Sequence, residues 1–306
     1  MAFRIPTALR NHCIRALSES MDIRTMTHLI RNIFQSYDIH ERTGFPKSIA
    51  IPNIDVARQI VTDVIKSQKF LHFVRLLIGA QDDGIMGRRY KISFLREIIK
   101  ATYDLGYIFD SSNMMFIENP QVRKTRNWGA LEEGEQYQMV FLAIDIVENS
   151  RLVKTYPPET IKATYKHLRA MMNKSIDKRN GRIWSWEGDG GLAAFFFGDP
   201  HTSAALSAIE IMNELFLYNR AACVLNEPLV VRIGVHAGDC EYTASEEELD
   251  RLETISETRS IETMAKPDTV YLSIVVKVML DEFISKHFKA VGTRKNGPFC
   301  YSLKLE

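Results

Sequence analysis

Four cysteines in 306 residues, Cys13, Cys223, Cys240 and Cys300, are too few and too scattered for a disulfide framework, and they lack metal-type spacing. They read as reduced thiols of a cytoplasmic protein. An excess of one charge is missing too: 39 Lys and Arg stand against 38 Asp and Glu. That balance gives no electrostatic argument for nucleic acid or a lipid surface. No apolar run approaches the about 18 residues of a membrane span, since residues 139–144 and 192–197 are only strand-sized. The first ten residues lack the apolar stretch of a signal peptide. Internal repeats, low-complexity segments and a His-Glu-x-x-His spacing are also absent, and Gly190-Gly191 is too short for a Gly-rich phosphate loop. What remains is a chain 45% hydrophobic and 25% charged, able to bury a core. Its length suggests two domains at roughly 150 residues each.

Residues 1–117 read as an all-α bundle of about four or five short helices. Ile23, Met26, Ile30, Ile33 and Tyr37 recur at helical spacing behind a polar Ser18-Glu19-Ser20 start. Pro52 to Asp55 offers a capping signal ahead of Val56, Ile60, Val61 and Val64. Residues 70–78 are nearly all apolar with Gly79 behind as a stop, and Phe94, Leu95, Ile98 and Ile99 mark a helix ending near Gly106. Residues 118–136 lapse into Asn, Pro, Arg, Lys, Gly and Glu and read as a linker.

From residue 137 to 306 the pattern changes. Strand-like runs at 139–146, 182–186, 192–197, 229–236 and 269–272 are interleaved with helical spacing at 158–172, 204–216 and 255–265. The order is strand, helix, hairpin, helix, strand, then additions. It predicts an α+β, ferredoxin-like domain: one antiparallel sheet with helices on one face.

Two aspartates in this frame carry chemistry. Asp145 ends the first strand, and Asp189 sits in the hairpin Glu187-Gly-Asp-Gly-Gly191. If strand and hairpin are neighbours, both carboxylates reach one sheet edge. Hard cations such as Mg²⁺ or Mn²⁺ are held by one or two carboxylates plus substrate phosphates. Two such ions about 3.5–4 Å apart can activate an attacking oxygen and stabilise a leaving phosphate. Against this, Asp-Gly favours hairpin turns for purely conformational reasons. Asp145 has no such excuse, because a carboxylate behind Phe141-Leu-Ala-Ile144 is costly unless paired or metal-bound.

Phe141-Leu-Ala-Ile-Asp145-Ile-Val, Gly188-Asp189-Gly and Val231-Arg-Ile-Gly-Val-His236-Ala-Gly resemble, in order and spacing, blocks of the class III adenylate/guanylate cyclases. The likeness continues through Ala265-Lys-Pro267 and Val270-Tyr-Leu-Ser273 to the C-terminus. It implies a ferredoxin-like cyclase domain working as a head-to-tail homodimer with sites at the interface. It also implies a nucleoside triphosphate substrate whose 3′-hydroxyl attacks its own α-phosphate and releases pyrophosphate, with two Mg²⁺ or Mn²⁺ ions. Matched residue by residue, Asp145 and Asp189 fall on the two metal-binding aspartates, and the backbone carbonyl of Ile146 is a further ligand. The turn Val147-Glu148-Asn149-Ser150 stands where β- and γ-phosphates are cradled, with Glu148, Asn149 and Ser150 replacing the usual Gly-Phe-Thr. Lys295 matches the triphosphate-binding lysine.

Other positions depart from the pattern. The adenine-selecting lysine falls on Ser185, with its acidic partner near Leu249 or Asp250. The transition-state arginine falls on Ser260 and the asparagine four residues before it on Ser256. Arg259 is one place away and reaches that position only with a helix rotation of about 100° or a register shift. A serine cannot supply the fixed charge an arginine gives to a phosphoryl-transfer transition state. Two interpretations follow: a changed base specificity, as in the pyrimidine cyclases of bacterial anti-phage signalling, or a catalytically degenerate nucleotide-binding regulator with a cyclase fold. A purely structural module, with Asp189 only a turn residue, is a third.

Trp184 and Trp186 alternate about Ser185 and are expected to share one core face. His236 reads as a satisfied strand-end histidine and His167 as a residue on a polar helix face. The N-terminal bundle, with Ser48-Ile-Ala-Ile-Pro52, is faintly similar to death-fold-like adaptor domains, which implies a protein partner; a regulatory or dimer-supporting bundle fits equally.

Overall fold

Helical periodicity at the N-terminus and strand periodicity beyond it separate in space. A computed structural model describes residues 5–111, 113–122, 125–292 and 297–303, and divides the chain into two units, Met1–Lys124 and Thr125–Glu306.

Among the described residues the first unit has six helices, α1 (Thr7–Ser20), α2 (Ile23–Ile30), α3 (Ile39–Thr43), α4 (Asn53–Lys66), α5 (Phe70–Asp82) and α6 (Leu95–Asp104). An antiparallel hairpin follows, β1 (Tyr107–Asp110) and β2 (Met115–Glu118), so this unit is not all-α. Ser18-Glu19-Ser20 ends α1 rather than starting a helix; α2 begins after Asp22, whose carboxylate accepts the Thr25 N–H at 2.8 Å. α2 stops at Ile30, short of the expected Tyr37. There Asn32 donates its amide to the Leu29 carbonyl at 3.0 Å, and Tyr37 instead donates to Asp63 at 2.8 Å inside the bundle. Gly79 does not end α5, which runs on to Asp82 with Gly84 at φ +92° behind it. Leu17, Met26, Ile60, Phe73 and Leu77 form the core of the unit, each contributing about 1.5–3 kcal/mol by leaving water.

The second unit is built on β3 (Gln136–Ile146), α7 (Asn149–Thr155), α8 (Pro158–Lys178), β4 (Arg182–Glu187), β5 (Gly190–Phe195), α9 (Pro200–Ala221) and β6 (Val231–Glu241). α10 (Glu246–Leu249), α11 (Glu253–Met264), β7 (Thr269–Leu272), α12 (Ile274–Met279), α13 (Glu282–Ser285), β8 (Lys289–Ala290) and β9 (Phe299–Ser302) follow. The sheet order is β4-β5-β3-β6-β7-β9-β8. Its first four strands, with α8 and α9, are the split βαβ of a ferredoxin-like fold. The α+β class expected from the element order is therefore the observed one. Residues expected to be a mere linker include Trp128 and Leu131, both buried, with the Trp128 indole donating to the Asn180 carbonyl at 2.6 Å.

Two further expectations are corrected. The sheet is not wholly antiparallel, because β7 joins β6 in parallel through the α11 crossover. Helices also cover both faces. Val140, Leu142, Ile144 and Ile146 of β3 pack with Leu168, Met172 and Ile176 of α8 and Ala208 and Ile211 of α9. Strand alternation turns Phe141, Ala143 and Asp145 to the opposite face, where α11 lies. Glycine lets α11 sit directly on β6. A Cβ at Gly234 would stand 2.7 Å from the Glu262 Cα, and one at Gly238 2.8 Å from Thr254 Oγ1.

Candidate active site

Asp145 is delivered by β3, one residue before that strand ends, and Asp189 by the two-residue turn between β4 and β5. The ladder pairs Ile144 with Gly191, so the hairpin lies directly beside the end of β3. Close approach depends on glycine: a Cβ at Gly190 would stand 2.9 Å from the Ile144 carbonyl oxygen and 3.4 Å from Asp145 Oδ1. Asp145 Oδ1 therefore faces the hairpin.

The turn itself removes the conformational explanation of Asp189. Gly188 takes the left-handed value, φ +53°, whereas Asp189 and Gly190 are outside that region. A glycine at the first central position is the II′ pattern, not the Asp-Gly I′ turn. Asp189 is thus not required by the backbone it occupies. Burial pushes its carboxyl above the usual range, its own backbone N–H opposes that, and the neighbouring Asp145 charge pushes it up further. Both carboxylates line one cavity, near enough for the charge of Asp145 to disfavour ionisation of Asp189. The Asn149 side chain, near Asp189, opposes that rise, and its Oδ1 accepts from Tyr165 Oη at 2.7 Å.

Ile146 completes the edge. Val147 donates its N–H to the Val230 carbonyl at 2.9 Å, on the β6 side. Strand alternation then directs the Ile146 carbonyl to the other side, where the β5 ladder has already ended. Two carboxylates and one carbonyl are a hard, all-oxygen donor set. Among the described residues no group of three or more His, Cys, Asp or Glu side chains converges in a way that could hold a metal ion, so phosphate and water oxygens would complete such a site.

Two residues that sequence reasoning missed share this place. Arg232 stands opposite Asp145 in the β3–β6 ladder and donates Nη2 to Asp145 Oδ2 at 2.9 Å. Its Nε is ion-paired at 2.6 Å with Glu262 of α11, without hydrogen-bond alignment. Burial pushes the Glu262 carboxyl up to about 7, and the Arg232 charge opposes it. The signal was present in the Val231-Arg-Ile block, since pairing of that strand with Phe141–Ile146 puts an arginine against the aspartate.

A cavity of about 370 Å³ gathers these groups; Asp145, Asp189, Ser185, Glu187, Arg259 and Glu262 line it. Arg259 reaches it one turn before Glu262 on the same helix side, and Asp250 holds its guanidinium at 2.9 Å. Ser256 and Ser260 are exposed and outside the lining, so the helix register favours Arg259. Ser150 is exposed at the first turn of α7, behind Glu148 at φ +56°. Of the two positions expected for the acidic partner, Leu249 is buried and Asp250 is the carboxylate, already paired with Arg259. Lys295 lies outside the described residues.

Ser185 faces the cavity because of a β-bulge. Ile183 pairs with Ala193 and Ser185 with Leu192, leaving Trp184 as the extra residue. The two tryptophans therefore do not share a face. Trp184 is buried edge-on against Phe141 and Tyr242 on the α11 side, while Trp186 packs with the α8–α9 core beneath Arg169. His236, also on the α11 side, has Nε2 2.6 Å from a Glu257 carboxylate oxygen, and burial holds its pKa below the usual imidazole value. His167 is exposed on α8.

No protein-family model matches the chain, and no curated protein matches it. Its neighbours among solved structures are adenylyl and guanylyl cyclase domains. A guanylyl cyclase domain of the RhoGC fusion protein of the aquatic fungus Blastocladiella emersonii is 14% identical, covers 56% of this chain and 97% of its own, with a TM-score of 0.46. The guanylyl cyclase Cya2 is 19% identical over 55% of this chain and 92% of its own, at 0.45. An adenylate/guanylate cyclase/hydrolase from Silicibacter pomeroyi is 21% identical over 56% of this chain and 99% of its own, at 0.46. The solved folds to which this chain is similar are class III nucleotidyl cyclase domains.

Proposed function

We propose that residues 137–306 form a metal-dependent nucleotidyl cyclase, converting a nucleoside triphosphate to a 3′,5′-cyclic nucleotide and pyrophosphate. The meeting of Asp145 and Asp189 beside a cavity lined by Arg259 carries this reading. Two carboxylates held close at partial burial repel, and a divalent cation between them relieves that repulsion. Mg²⁺ or Mn²⁺ ions bound there would draw charge from the reacting phosphate and ease attack by the 3′-hydroxyl.

The chain's own residues do the positioning. Asn149, held by Tyr165, stands beside Asp189 as a polar neighbour. Arg232 orients Asp145 through Oδ2 and leaves Oδ1 toward the hairpin. Arg259 supplies the fixed positive charge, taking the role the resemblance gave to position 260, and is ion-paired with Asp250 at 2.9 Å. Ser185 offers a hydroxyl donor and acceptor to the base. The homodimer and a regulatory role for the N-terminal helical unit belong to the same proposal.

A second reading, a nucleotide-binding regulator that does not cyclise, is favoured by one observation: Arg232 already neutralises Asp145. Incubation of the full chain with each of the four ribonucleoside triphosphates and Mn²⁺ separates the two. Cyclic product and pyrophosphate, lost in Asp145→Ala, support the cyclase. Triphosphate binding without product supports the regulator, and no binding refutes both.

A further inference from the structure

A second cavity of the same unit, about 600 Å³, lies between the end of α11, α13 and the strands β7, β8 and β9. Its lining includes Lys266, Lys286 and Lys289, with His287 beside them, and no Asp or Glu among the described residues. In a chain whose charges otherwise balance, 39 against 38, three ammonium groups without an acidic neighbour in one cavity are a local excess. Each adds to the potential of the others, and an anion of several charges gains from all three. Lys286 is additionally held over the Phe283 ring at 4.3 Å. The floor has another character. Tyr271 is buried and Tyr301 half-buried against Phe288, giving aromatic and apolar walls under the cationic rim. Cys300 lines the same cavity as Lys266; burial pushes its thiol up, and Thr269 and the Lys266 charge oppose that.

We propose that this cavity binds a phosphorylated small molecule with an aromatic body, of the nucleoside monophosphate class, at a site separate from the Asp145–Asp189 cavity. The phosphate lies among Lys266, Lys286 and Lys289, and the ring lies against Tyr301. The volume is within the range of small-ligand pockets, about 300–1,000 Å³. None of these groups is a ligand of the proposed metal site.

Titration calorimetry on the full chain in excess EDTA tests this, with adenosine and uridine 5′-monophosphates and inorganic phosphate as probes. EDTA silences the carboxylate site, so failure here leaves the cyclase reading standing, and failure of the cyclase assay leaves this one standing. Saturable binding is expected, tighter for the nucleotides than for phosphate and weakened by added salt. The double variant Lys266→Ser, Lys289→Ser, at two exposed side chains, should weaken it at least about tenfold. Asp145→Asn should leave it unchanged. No saturable binding, equal affinity in the lysine variant, or phosphate binding as tightly as the nucleotides would each overturn the proposal.

Discussion

Replacing Asp189 by Asn separates a metal ligand from a turn residue. The turn places its positive φ at Gly188, so the asparagine side chain meets no conformational demand that Asp189 did not. Its amide is isosteric with the carboxylate and keeps an acceptor oxygen beside Asn149. What changes is the charge beside Asp145. Two like charges about 4 Å apart repel by about 4 kcal/mol at an effective dielectric of 20 and by about 1 kcal/mol in water. Asp189 is only partly buried, so the relief lies near the lower figure. In EDTA the variant should therefore be the more stable by about 1 kcal/mol, a melting-temperature rise of about 2–4 °C for a domain of this size. Manganese should reverse the order. It binds the folded wild type and adds about 2.7 kcal/mol at a hundredfold excess over its dissociation constant, whereas the variant gains little. Scanning calorimetry of both proteins in EDTA and in MnCl₂ reads the four values. A variant less stable in EDTA, with manganese raising both proteins equally, would refute the reasoning.

Three further outcomes follow from the geometry. Gly234→Ala drives a methyl group into the Glu262 backbone, which cannot rotate away, and should destabilise the domain by about 1–3 kcal/mol in denaturant titration; a neutral result would mean that α11 does not lie on β6. Arg259→Ala should lower cyclic-nucleotide formation by about 100-fold or more, while Ser256→Ala and Ser260→Ala leave it within about threefold, as product assays would show. Glu262 has a native pKa of about 7 against 4.5 unfolded, so the native state binds the extra proton between those values. Unfolding then releases a proton, and this group's contribution to stability falls as pH rises from 4.5 to 7. Denaturation midpoints across that range should fall less in Glu262→Gln than in the wild type, and parallel curves would exclude the assignment.

Periodicity made the ferredoxin-like core legible, because short apolar runs mark strands buried on both faces and one apolar stripe marks each helix. β7 spans the residues that the pattern marked, Thr269–Leu272. Features that depend on what a residue meets across space were not legible. The bulge at Trp184 breaks the alternation that would have put both tryptophans on one face, and only the pairing of Ser185 with Leu192 reveals it. The face taken by α11 is set by Gly234 and Gly238, small residues whose meaning appears only when a helix backbone stands over them. In the first unit, Gly79 resembled a stop, yet the carbonyls around it continue in helical bonds to Asp83. The aspartate pair was readable from chemistry, since few reasons exist for a carboxylate behind an apolar strand. Its counter-cation was not, because Arg232 is 87 residues away along the chain and becomes a partner only through strand register.

Crystals grown with Mn²⁺ and an α-thio nucleoside triphosphate, measured at the manganese absorption edge, put the central claim to its most direct test. Anomalous density is expected between Asp145 and Asp189, within about 2.0–2.6 Å of an oxygen from each carboxylate. Density elsewhere, with Arg232 still closing Asp145 and the two side chains turned apart, would contradict it.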